Sequence, residues 1–69
     1  MIVSEMVKFT RKVFGISQAQ YAEDIGTNQT TVSFMERGFE PKPELEAAVI
    51  EYYKEAREKN DAVLAQRFD

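Results

Sequence analysis

Gln29, Thr30 and Ser33 are uncharged side chains that both donate and accept hydrogen bonds, and they recur at helical spacing over residues 29–37. At 100° per residue, Gln29, Ser33 and Arg37 share one face while Thr31, Val32 and Met35 share the other, and Thr30 and Phe34 flank the polar face. A glutamine amide can pair with both edge atoms of adenine, and serine or threonine hydroxyls adapt to donors or acceptors. Such a face can read the edges of bases without adding charge. On these residues alone, an ordinary polar helix surface is the alternative. The Phe34 ring can meet a thymine methyl, or it can tuck against residues 39–43 or a second subunit.

The elements that must position these residues are short. Helix 1 is predicted over Ser4–Phe14, with Ser4 as N-cap, Glu5 in the first turn, an apolar stripe of Val7, Thr10, Val13 and Phe14, and Gly15 as the stop. Helix 2 starts at Ser17, which forms a capping box with Gln20; Ala19, Ala22 and Ile25 line its inner face, with Tyr21 close by. Gly26 ends it, and Thr27 or Asn28 caps helix 3 over Gln29–Arg37, which Gly38 terminates. Two short helices joined by so tight a turn meet near a right angle, which is the geometry of a helix-turn-helix and also of a corner in a small helical bundle. Pro41 and Pro43 make FEPKP a loop. A longer helix is predicted from Glu44 to about Lys59, and Asn60-Asp61 is a point where it can break. Residues 1–59 are therefore expected to form the domain, with 60–69 as a helical extension or tail.

Sixty-nine residues allow one small core. The chain has no Cys and no His, so no metal site, no disulfide and no catalytic constellation is expected, and no cofactor. No apolar run has the length of a membrane span, and MIVSEMVKF lacks the features of a secretory signal, so a cytoplasmic location is the expectation. The net charge is −3, which opposes binding to a polyanion. Its distribution matters more than its total. Over residues 1–38, Lys8, Arg11, Lys12 and Arg37 balance Glu5, Glu23, Asp24 and Glu36, so the whole excess of acid lies in residues 39–69.

Ile16-Ser17-Gln18, Tyr21-Ala22-Glu23, Ile25-Gly26, Thr30-Thr31-Val32-Ser33 and Glu36-Arg37-Gly38 together resemble the Cro/CI-like (Xre-family) helix-turn-helix of bacterial and phage repressors. The resemblance extends from residue 5 to about residue 55. Tyr21 stands where an aliphatic is usual, Phe34 where a polar or basic residue is common, and FEPKP where the loop is often basic. The resemblance implies an all-α, lambda-repressor-like domain of four to five helices that binds double-stranded DNA. Gln29, Thr30 and Ser33, with Phe34, would then read bases. Gln18, Thr27, Asn28, Arg37 and Lys12 would hold the DNA backbone, Gln18 also bracing Gln29. Arg11 and Glu36 match a structural ion pair of phage repressors.

The C-terminal helix carries more apolar residues than one small core needs. Val49, Tyr52, Tyr53, Ala56, Val63 and Leu64, with Phe39, are therefore expected to supply a surface for a second copy or a protein partner; the alternative is that only Leu45 to Tyr53 pack on helices 1–3 and the remainder is a solvated tail. The resulting expectation is a small repressor-type regulator acting as a homodimer on a palindromic operator. The alternative is a protein-interaction module on the same fold, such as an antirepressor, with weak or no DNA binding.

Overall fold

The structure, a computed structural model, describes residues 2–67 and, among them, four helices and no strand. Helix α1 spans Val3–Phe14, α2 Gln18–Ile25, α3 Gln29–Glu36 and α4 Pro43–Arg67. The described residues are all-α, as expected. Helix α1 packs on α3 and α4, and α2 packs on the same two helices. Val3, Met6, Val7, Tyr21, Ala22, Val32, Met35 and Val49 form the buried cluster, which Ile16, Ile25, Leu45, Ile50, Tyr52 and Tyr53 cover from the sides. Burying one such side chain contributes about 1.5–3 kcal/mol, so this small core is what sets the helix orientations.

Helix boundaries follow local chemistry. Ser17 Oγ accepts from the Gln20 N–H at 3.1 Å, and Asn28 Oδ1 accepts from the Thr31 N–H at 2.8 Å, so both helices of the central pair carry a side-chain N-cap. The helix stops are equally specific. Gly26 lies at φ 80°, and beyond it the Thr27 N–H reaches back to Ala22 O at 2.8 Å. Gly38 lies at φ 109°, with the Gly38 N–H on Met35 O and the Phe39 N–H on Phe34 O. These are Schellman closures, and the left-handed backbone they need favours glycine.

Four local expectations are corrected. Helix α1 begins at Val3 with Ile2 at the cap position and no side-chain cap bond, so Ser4 lies inside the helix; burial of Val3 and Met6 against the core extends the helix by a turn's edge that the polar signal did not mark. Ala19 is exposed, and Tyr21 with Ala22 forms the buried face of α2, because the Tyr21 ring stacks on Tyr52 at 5.3 Å and fixes the helix rotation. Helix α3 ends at Glu36, with Arg37 as its C-cap. Helix α4 runs unbroken through Asn60-Asp61, since both are mediocre helix formers that keep their backbone N–H groups. At 1.5 Å per residue α4 is roughly 37 Å long, which accounts for the 40 Å long axis of the molecule. Phe68 and Asp69, the end of the expected extension, lie outside the described residues.

Candidate nucleic-acid interface

The α2–turn–α3 unit is held to the rest of the chain through one carboxylate. Arg11 Nη1 donates to Glu36 Oε2 at 2.7 Å, and Gln18 Nε2 donates to Glu36 Oε1 at 3.3 Å. Arg11 Nε also donates to Ile16 O at 3.3 Å. Three helices therefore meet at Glu36: α1 through Arg11, α2 through Gln18, and α3 through its own last residue. Glu36 is largely buried, so its oxygens take their hydrogen bonds from these donors rather than from solvent. The implied brace from Gln18 to Gln29 is absent; the ionised carboxylate takes the amide instead, as the stronger acceptor.

Behind this junction lies an aromatic stack. Tyr52 sits face to face with Tyr21 and with Phe14, at 5.3 Å and 5.2 Å between ring centroids. Tyr52 Oη donates to Asp24 Oδ2 at 2.6 Å, and Gln20 Nε2 donates to Asp24 Oδ1 at 2.8 Å. Burial, reinforced by the Asp24 bond, pushes the Tyr52 phenol up to about 12. Burial also raises the Tyr21 phenol, with Tyr52 and Glu36 adding to it. Tyr21 Oη is buried without a hydrogen-bond partner. The stack locks α2 against α4 and so fixes the base on which α3 is mounted.

Helix α3 presents its N-terminal half outward. Gln29 and Thr30 are exposed, and Ser33 is half-buried beside them, while Val32 and Met35 anchor the opposite face in the core. Thr27 is half-buried and Asn28 exposed, both at the N-terminus of α3, where free backbone N–H groups suit an anion. Gln18 is half-buried at the first position of α2. Lys12 is exposed and borders, with Lys8, Arg11, Gly15 and Ile16, the hollow that precedes α2.

Phe34 and Phe39 are both about half exposed, with ring centroids 6.4 Å apart. Their contact is the apolar clasp that accompanies the Schellman closure at Gly38. Arg37 lies over the Phe34 ring at 4.8 Å and donates to Ser33.

The expected partner surface on α4 is corrected in part. Val49 and Ala56 are fully buried, and Tyr52 and Tyr53 are committed to the core side, Tyr53 meeting Phe9 edge-on at 5.4 Å. Phe39, ahead of the helix, is exposed. Of the expected stripe on α4, Val63 and Leu64 are the residues that are exposed, Val63 bordering a groove with Phe9 and Val13 of α1.

Two cations were missed in the sequence. Lys42 borders a hollow with Thr27 and Thr31, beside the start of α3. Its signal was available, since it is the one basic residue of FEPKP. Lys59 lies 5.0 Å from the Phe14 ring and shares a groove with Lys12. Nothing local in the sequence connects these two residues. Among the described residues no cluster of carboxylates suits a metal ion, and no helix is long and apolar enough to cross a membrane.

A family model described as helix-turn-helix matches residues 7–50, more than half of the chain. A search of curated proteins and a search of solved structures found no match.

Proposed function

The chain belongs to the Cro/CI-type (Xre) helix-turn-helix family of DNA-binding regulators, and we propose that it is a small repressor-type protein that reads a specific duplex sequence with α3. The observation that carries this reading is the outward Gln29–Thr30–Ser33 face of a helix capped by Asn28 and clamped from behind by Glu36. A recognition helix in the major groove meets base edges with its N-terminal residues, and a glutamine opens α3. Gln29, Thr30 and Ser33 contact bases. Gln18, Thr27, Asn28 and Lys12 hold phosphates, with Lys42 beside them.

The acidic total is compatible with this assignment. Lys8 and Lys12 lie near the α2 N-terminus and Lys42, with Glu44, near that of α3, whereas Glu51 and Glu55 border a hollow with Asp24 and Ile25 at the C-terminal end of α2. A low positive charge weakens non-specific attraction, so affinity rests on polar base contacts and on doubling the site. A homodimer on a palindromic operator supplies the doubling, and exposed Val63 and Leu64 on the C-terminal part of α4 favour it.

Selection of bound sequences from a random duplex pool tests the assignment. A palindrome with half-sites about one helical turn apart is expected. A pool that stays unenriched at low salt would instead favour a protein-interaction role.

A further inference from the structure

Arg37 stands at the C-cap of α3, where an extended side chain would reach away from the bases met by the helix N-terminus. It does not extend. Nε donates to Ser33 O and Nη2 to Ser33 Oγ, both at the long distance of 3.4 Å, and the guanidinium lies 4.8 Å from the centroid of the Phe34 ring. The group is thereby carried back one turn, to the level of Ser33 and onto the face that bears Gln29. Phe34 is itself set by Phe39, whose N–H closes the cap on Phe34 O and whose ring lies alongside.

Counting donors shows what remains. A guanidinium has five N–H groups in a planar fork. The side-on edge, Nε with Nη2, faces Ser33. The end-on pair, one N–H from Nη1 and one from Nη2, is left free, and two parallel donors match O6 and N7 of guanine. Among the described residues no carboxylate forms a salt bridge with Arg37, so its charge is not already matched by a protein anion.

We propose that Arg37 is a specificity-determining residue that reads a guanine edge, and that Phe34 and Phe39 are positioning residues that hold its guanidinium over the recognition face. This rests on duplex DNA being the ligand. It replaces the role in holding a phosphate that the sequence implies for Arg37.

The two roles have different signatures. A phosphate contact weakens binding about equally on all sequences and lowers the salt slope by about one when removed. A guanine contact affects only duplexes that carry the guanine.

The test measures binding of the wild-type chain, Arg37→Ala and Phe39→Ala to the best selected duplex and to the same duplex with the preferred guanine pair replaced. For the wild type, the replacement is expected to weaken binding roughly tenfold or more. Arg37→Ala should bind both duplexes alike, at the wild type's affinity for the replaced one. Phe39→Ala should lose part of the preference, with its helical circular dichroism unchanged. The reading of guanine is overturned if the wild type selects a site without a guanine preference, or if Arg37→Ala weakens both duplexes equally with a shallower salt slope. The positioning role is overturned if Phe39→Ala keeps the full preference. If the wild type enriches no sequence at all, the DNA-reading function falls first and this assignment falls with it.

Discussion

Arg11 and Glu36, 25 residues apart in sequence, meet at 2.7 Å and join the first helix to the end of the third. The pair also ties in the second helix, because Gln18 shares the same carboxylate. Removing one partner leaves the other charge largely buried and unmatched. Arg11→Ala should destabilise the fold by roughly 2–4 kcal/mol, less for its partial exposure than for a fully buried pair. Urea unfolding followed by circular dichroism reads this directly. A loss below about 0.5 kcal/mol would show that the pair is only a surface contact.

The turn between α2 and α3 makes a separate demand. A Cβ at Gly26 would meet no atom within 4 Å, so Gly26→Ala is not a steric problem. Its cost is the left-handed backbone, about 1–2 kcal/mol. Asn28→Ala removes the cap on Thr31 N–H and should cost about 1 kcal/mol. The two residues belong to one turn, so the double variant is expected to depart from simple additivity, which a thermodynamic cycle measures.

Tyr21 gives a prediction of opposite sign. Its buried hydroxyl has no partner, and an unmatched buried donor is unfavourable. Tyr21→Phe should therefore leave stability unchanged or raise it by up to about 1 kcal/mol. A drop in the unfolding midpoint would reveal a partner for the hydroxyl.

Alkaline pH probes the same stack. Both Tyr21 and Tyr52 have folded-state phenols raised above the ordinary value near 10, Tyr52 to about 12. The unfolded chain therefore loses these protons first. Stability from them is full below pH 10; the Tyr52 part is lost as pH rises through about 12 and the Tyr21 part at still higher pH. Comparing unfolding at pH 8 and pH 11, the Tyr21→Phe/Tyr52→Phe variant should lose less stability than the wild type. An equal loss would assign the alkaline decline to other groups.

How much of this was legible in the sequence depended on the range of the interaction. Ser17, Gly26, Asn28 and Gly38 act on backbone groups within a few residues, and their chemistry marks the turn directly. The buried side of α4 was not readable in the same way. Val49, Tyr52, Ala56, Val63 and Leu64 all fit helical spacing, and only packing on α1 and α2 separates the buried Val49 and Ala56 from the exposed Val63 and Leu64. Phe34 and Phe39 look like a patch for a partner until the Schellman closure shows them to be each other's neighbours. The fold-back of Arg37 onto Ser33 depends on a rotamer, which residue spacing does not specify.

The central claim is that the outer face of α3 reads base sequence, and Gln29 is its most direct probe. Fluorescence anisotropy should compare the wild-type chain and Gln29→Ala on the selected duplex and on an unrelated one, at matched salt. The wild type should bind the selected duplex at least roughly a thousandfold more tightly. Gln29→Ala should lose roughly tenfold or more on that duplex, nothing on the unrelated one, and nothing in unfolding midpoint. Equal affinity of the wild type for both duplexes, or an unchanged affinity of Gln29→Ala, would contradict the account.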